Sequence, residues 1–147
     1  EKKREYDFSP VHSQANKMAD IIKKEGLQYV SEVWGSEVKL YYEDQYAGTT
    51  DLVGMYKGVP HIIDFKQTNK PKQDKWITDY YLQLAAYAHA HNYMTGTEIQ
   101  NGVVLMCSRG LEFQCFEMNE IQFDKYSYMW FNRVKQYNDM ISQSKNS

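Results

Sequence analysis

Between Glu37 and Lys66 the chain alternates apolar and polar side chains in three stretches that predict strands. Glu37 to Glu43 sets Val38, Leu40 and Tyr42 against Glu37, Lys39, Tyr41 and Glu43, as a half-exposed strand would; Ala47 to Tyr56 and Val59 to Lys66 follow. Only Lys57-Gly58 separates the last two, which predicts a tight hairpin. Counting outward from that turn sets Tyr56 opposite Val59, Val53 opposite Ile62 and Asp51 opposite Asp64. Asp51, Asp64 and Lys66 then share one face, while Ile63 and Phe65 point the other way into a core. The pattern thus separates a polar face from an apolar one.

Longer periods predict three helices. Ser9-Pro10 suits a helix start, and Ala15, Met18, Ala19 and Ile22 make a stripe that stops at Gly26. From Asp74 to Tyr93 there is neither glycine nor proline, and Trp76, Tyr80, Gln83, Leu84, Tyr87 and His91 recur at spacings of three and four. Asn119 reads as the cap of a helix to about Ile141, with Tyr126, Met129 or Trp130, Arg133 or Val134, Tyr137 and Met140 as its stripe and 142–147 as a loose tail. A second hairpin, Val103 to Ser108 and Leu111 to Met118, turns at Arg109-Gly110. That count pairs Cys107 with Glu112 and Cys115 with Val104, so the thiols point to opposite faces and no disulfide is expected. The order is helix, three strands, helix, two strands, helix: an α+β domain with a mixed, mostly antiparallel sheet flanked by helices.

Length and composition agree with this. A chain of 147 residues, 42% hydrophobic and 24% charged, suits one globular domain spanning 1–147. Its apolar runs are too short for a membrane span, and no signal peptide is visible. Glu1 to Tyr6 is a charged, frayed lead-in; because the chain starts at Glu1 rather than methionine, an N-terminally incomplete piece of a longer protein is expected. A net charge of −2 makes no global basic field, so nucleic acid would need a local patch. Two unpaired thiols without metal-like spacing fit a reducing compartment, read as cytoplasmic, with the mitochondrial matrix or a phage-infected host cytoplasm also open. The four histidines form no metal pair.

The chemistry concentrates between Tyr46 and Tyr87. Two carboxylates about 5 Å apart repel by about 3 kcal/mol at an effective dielectric of roughly 20, so opposed Asp51 and Asp64 need compensation. Lys66 offers part of it. Two carboxylates with the Phe65 carbonyl also make an oxygen site for Mg²⁺, which takes one or two carboxylates plus water and phosphate oxygens. The plain alternative is a surface salt-bridge cluster. Gln83 and Tyr87, four apart, lie on one face of their helix, and Gln83 is polar in the middle of an apolar stripe. Lys70, Lys72 and Lys75, in the turn-rich loop after Lys66, are either ordinary solvated lysines or phosphate contacts. Thirteen tyrosines and three tryptophans leave room for one or two rings that stack unpaired bases.

Taken together, Gly48-Thr49-Thr50-Asp51, the Asp64-Phe65-Lys66 element after Ile62-Ile63, and Gln83-x-x-x-Tyr87 resemble the motifs of the PD-(D/E)XK nuclease superfamily, in particular its RecB-like exonuclease branch, which includes phage exonucleases and the mitochondrial genome maintenance exonuclease. The match runs from about Glu37 to Met106 in the expected order. The resemblance implies a restriction-endonuclease-like core and a Mg²⁺- or Mn²⁺-dependent exonuclease acting on DNA with a free or single-stranded end, in repair, recombination or phage DNA processing. It implies Asp51 and Asp64 as metal ligands with the Phe65 carbonyl, Lys66 as the residue that positions the attacking water, and Gln83 and Tyr87 as support for the lysine or as DNA contacts. It also often places a glutamate near Glu37, which becomes a third candidate ligand beside its solvent-facing reading. Thr50 stands where the superfamily name has proline. No Gly-x-x-x-His segment precedes Glu37, although the RecB-like pattern carries such a histidine; His12 is the only upstream one. A nucleic-acid-binding module that keeps the fold without turnover, and a structural fragment of a larger recombination protein, therefore stay open.

Overall fold

The computed structural model describes residues 9–72 and 77–146, and the side chains of 13–72 and 77–145. The expected lead-in at Glu1 to Tyr6 and the expected helix start at Asp74 lie outside the described residues. The element order is α1 (Ser9–Glu25), β1 (Val30–Tyr42), β2 (Tyr46–Tyr56), β3 (Val59–Thr68), α2 (Thr78–Thr95), β4 (Gly102–Ser108), β5 (Phe113–Met118) and α3 (Glu120–Asn146). The five strands lie side by side in chain order. All neighbours are antiparallel except β3 and β4, which are parallel. Parallel neighbours need a crossover connection, and α2 lies within the one that joins them. The α+β class and the mixed, mostly antiparallel sheet are as the pattern predicts.

The β2–β3 turn also follows the count. Lys57 at φ 53° and Gly58 at φ 80° supply the two positive φ angles of a type I′ turn, and Tyr56 pairs with Val59 and Val53 with Ile62. The expected split into a polar and an apolar face does not hold. Ile63, Val103 and Leu105 meet Met18 and Ile22 of α1 on one side of the sheet. Val53, Ile62, Val104 and Met106 meet Leu82, Leu84 and Ala85 of α2 and Phe123 of α3 on the other. Helices cover both sides, so the middle of both faces must be apolar; the α2 face becomes polar only at its Asp64 and Lys66 end. Gly26 closes α1, its N–H bonding the Ile22 carbonyl at 2.8 Å. A Cβ there would crowd the Leu105 side chain, so the glycine lets the helix end press onto β4.

The second hairpin differs from the count. Its loop takes in residues 109–112, with Leu111 at φ 65°, and β5 begins only at Phe113. Cys107 therefore pairs with Phe113 and Cys115 with Leu105. This one-residue change turns both thiols to the same face. They are offset by two residues rather than directly opposed, and both are free, Cys107 buried and Cys115 exposed.

The long helices end differently from expectation. α2 stops at Thr95, where Gly96 takes the left-handed conformation at φ 75° and donates its N–H to the Asn92 carbonyl. α3 opens with a reciprocal cap: Asn119 accepts the Gln122 N–H at 2.8 Å and Gln122 accepts the Asn119 N–H at 3.0 Å. It then continues to Asn146, through the stretch expected to be loose. Phe123 and Tyr126 are buried, but Tyr137 and Met140 are exposed, so the stripe fails in the last turns. An i,i+4 pair between Lys135 and Asp139 at 2.9 Å supports those turns instead.

Candidate active site

The site forms where β2 and β3 part. Their regular pairing reaches Leu52 opposite Ile63, and beyond it two carboxylates replace the backbone ladder. Asp51 Oδ2 accepts the Phe65 N–H at 2.8 Å, and Asp64 Oδ1 accepts the Asp51 N–H at 3.4 Å. Each aspartate thus ties down the other strand, which compensates part of the repulsion between them. Asp64 is buried, and burial is the main reason its pKa rises from 3.8 to about 6. Lys66 opposes that rise, while the neighbouring Asp51 carboxyl adds to it through its charge and a shared hydrogen bond.

Lys66 Nζ lies 3.3 Å from Asp64 Oδ2 and donates to Gln83 Oε1 at 3.3 Å. Gln83 Nε2 donates to the Tyr87 hydroxyl at 3.1 Å, and Tyr87 in turn is hydrogen-bonded to the Thr49 backbone. A continuous polar chain therefore runs from β3 through one face of α2 and back to β2. The Tyr80 ring stands 5.3 Å from the ammonium and adds a cation–π contact. These contacts explain the polar interruption of the helix stripe: Gln83 holds the lysine. Gly48 has a physical role as well. A Cβ there would sit 2.6 Å from Tyr87 Cε1 and 2.8 Å from its hydroxyl, so only glycine admits the ring. Beside it, the Thr50 hydroxyl is fully buried with no hydrogen-bond partner among the described residues.

Asp51, Asp64, Phe65, Lys66, Gln83 and Tyr87 are thus brought together. Glu37 is apart from them in character: it adopts φ 49° between the pairs Ser36–Leu52 and Val38–Thr50, and is exposed. No group of three or more histidine, cysteine or acidic residues among the described residues could hold a metal. The acidic oxygen set is the Asp51 and Asp64 pair. Two carboxylates are the number of acidic ligands that suits a hard divalent cation keeping several waters or phosphate oxygens, as Mg²⁺ does.

Outside the Lys66 end of β3, Gln67, Thr68, Asn69, Lys70, Lys72 and Tyr80 line an open cavity of about 490 Å³. Lys70 and Lys72 are exposed; Lys75 lies outside the described residues. On the other side of Gln83 and Tyr87, a second cavity of about 270 Å³ reaches Tyr46 of β2 and Trp130 and Arg133 of α3. Sequence reading missed the contribution of Tyr46 and Arg133, since neither belongs to a motif and the cavity exists only through the packing of α2, α3 and β2.

No protein-family profile and no curated protein matches the chain at a significant level. Solved structures do. A crystal structure of a "putative exonuclease" from Eubacterium rectale superposes with a TM-score of 0.65 at 18% identity, covering 91% of this chain and 53% of that one. A second, of SSO0001, superposes with a TM-score of 0.50 at 14% identity, covering 91% of this chain and 62% of that one. The chain thus spans roughly half to three fifths of their lengths. No described helix is long and apolar enough to cross a membrane. At these identities the likeness is one of fold: the chain shares its α+β core with these two structures.

Proposed function

We propose that this chain is a metal-dependent exonuclease of the RecB-like PD-(D/E)XK type, hydrolysing phosphodiester bonds in DNA with a free or single-stranded end. The observation that carries the reading is the polar chain from Asp64 through Lys66 and Gln83 to Tyr87, with Asp51 tied across the strand fork. The fold it shares with the Eubacterium rectale protein supports the same reading.

Asp51 and Asp64, with the Phe65 carbonyl, would hold Mg²⁺ or Mn²⁺. Such an ion polarises a scissile phosphate and lowers the pKa of a bound water. Lys66 orients the attacking water and offsets the charge that builds on the phosphate oxygens. Gln83 fixes the lysine, Tyr87 fixes Gln83, and Gly48 makes the space for Tyr87. The water oxygen bonds to phosphorus, the bond to the 3′ oxygen breaks, and that oxygen takes up a proton, leaving a 5′-phosphate and a 3′-hydroxyl. Lys70, Lys72 and Lys75 contact the backbone beyond the scissile bond. DNA repair, recombination or phage DNA processing would employ such an activity.

A second reading, a binding module that keeps the fold without turnover, is favoured by one observation: no third acidic or histidine ligand joins Asp51 and Asp64 among the described residues. End-labelled oligonucleotides incubated with Mg²⁺, Mn²⁺ or EDTA separate the two. Metal-dependent release of mononucleotides from one end supports the exonuclease, and retention of intact DNA by the bound protein supports the module.

A further inference from the structure

The 270 Å³ cavity behind Gln83 and Tyr87 has a composition that the hydrolytic chemistry does not use. Gln83 and Tyr87 form the wall it shares with the Lys66 network; Tyr46, Ala47, Trp130 and Arg133 line it from β2 and α3, and Asp79, Leu82 and Ala86 complete it from α2. Tyr46 and Trp130 meet edge to face, their centroids 5.1 Å apart at 87°. Tyr46 is held still, its hydroxyl donating to the Ala86 carbonyl at 2.8 Å and its ring stacked on Tyr42 at 5.4 Å and 9°. Two flat walls at a right angle accept a third planar ring in the same way they accept each other, stacked on one and edge-on to the other. Gln83 uses its oxygen on Lys66 and one N–H on Tyr87, which among the described residues leaves its second amide N–H for an acceptor. At the mouth, Arg133 reaches Asp79 only at 3.4 Å, with both side chains well exposed, so its guanidinium can be recruited by an anion. The volume falls below the roughly 300–1,000 Å³ usual for drug-sized ligands and suits one planar heterocycle.

We infer that this cavity receives the base of a single unpaired nucleotide next to the scissile phosphate, stacked against the Tyr46 and Trp130 walls with Arg133 on a flanking phosphate. The inference rests on the nuclease reading, since Gln83 and Tyr87 are what joins the pocket to the reacting strand. It makes the substrate end single-stranded: a base still paired in a duplex could not enter. Stacking of this kind is tolerant of base identity, so the pocket selects for unpaired structure rather than sequence.

The test scans a fluorescein-labelled single strand of about twelve nucleotides, within the site sizes usual for such proteins, replacing one nucleotide at a time by an abasic residue. Anisotropy titrations are run in Ca²⁺, and mapping of the cleaved bond in Mg²⁺. The expected result is one position beside the cleaved bond where loss of the base weakens binding about tenfold, within the range for a stacked base. Ala47→Leu, at an exposed residue that partly fills the cavity, and Arg133→Ala should each weaken the intact strand and flatten the scan while the melting temperature is kept. A flat scan in the wild-type protein, or unchanged sensitivity in both variants, overturns the pocket and leaves the exonuclease intact. Position-specific base dependence without cleavage leaves the pocket and overturns the exonuclease. If the wild-type protein binds no DNA, both fall.

Discussion

Lys57 and Lys66 make almost the same contacts at two ends of one strand. Lys57, in the β2–β3 turn, lies 2.9 Å from Glu117 and 4.9 Å from the centre of the Tyr29 ring. Lys66, far along β3, lies 3.3 Å from Asp64 and 5.3 Å from the centre of the Tyr80 ring. The Lys57 pair is the shorter, yet its side chains are 47% and 44% exposed against 28% and 6% for Lys66 and Asp64. Water screens the first pair, while the second is partly removed from water and fixed by a further bond to Gln83. Burial and the neighbouring network, rather than distance, separate an ordinary surface bridge from a pair that can act on a substrate.

The comparison breaks first at activity. Lys66→Ala should lower the cleavage rate on the order of a thousandfold, the scale of a lost transition-state donor, with DNA binding in Ca²⁺ retained; Lys57→Ala should cut normally. An end-labelled cleavage assay with matched binding titrations checks both, and normal cutting by Lys66→Ala would refute the mechanism. Gly48→Ala should slow cleavage about tenfold, since relieving the clash with Tyr87 costs about 1–3 kcal/mol of repacking. The same cleavage assay reads it, and an unchanged rate in Gly48→Ala would show that the seating of Tyr87 does not support Lys66.

Binding of a divalent ion should separate the two ion pairs in stability. A ligand at a hundred times its Kd contributes about 2.7 kcal/mol, and for a domain of this size that raises the melting temperature by about 5 °C or more. Scans in EDTA, Mg²⁺ and Mn²⁺ should show the rise in the wild-type protein and in Glu117→Gln, and none in Asp51→Ala. Without metal, Asp64 also gives a pH signature. Its folded pKa lies above the unfolded value, so the folded state keeps the proton to higher pH; the stability it contributes is complete below about 3.8 and is lost as pH rises to about 6. The loss should reach at most about 3 kcal/mol, and Asp64→Asn should remove that slope from urea titrations in EDTA.

The smallest effects belong to the remaining lysines. Neutralising Lys70, Lys72 and Lys75 together should weaken binding evenly across sequences and flatten the log–log salt dependence by about 2, with cleavage preserved at saturating DNA. Lys57→Ala should leave the melting temperature unmoved, as exposed bridges generally do.

Much of the site is legible in the chain because β2 and β3 are joined by two residues. A type I′ turn propagates register without ambiguity, so Val53 falls opposite Ile62 by counting alone, and Asp51 comes to the strand that bears Asp64 and Lys66. The longer 109–112 loop has no such rigidity; a left-handed Leu111 is not announced by composition, and Cys107 and Cys115 come out on the same face instead of opposite ones. In α3 the reciprocal cap at Asn119 and Gln122 is local and readable, whereas the fate of Tyr137 and Met140 depends on how far the neighbouring helix extends.

Local order therefore settled the elements, the β2–β3 register and the gathering of two aspartates and a lysine, because turn chemistry and side-chain alternation act over a few residues. Tertiary packing decided what those residues became. Packing on the α2 face of the sheet buried Asp64 and raised its pKa, and α2 set Gln83 against Lys66. The approach of Tyr87 to β2 gave Gly48 its purpose, and α3 closed a cavity with Trp130 and Arg133. Each of these depends on desolvation and on contacts between residues distant in the chain, which no short-range pattern encodes.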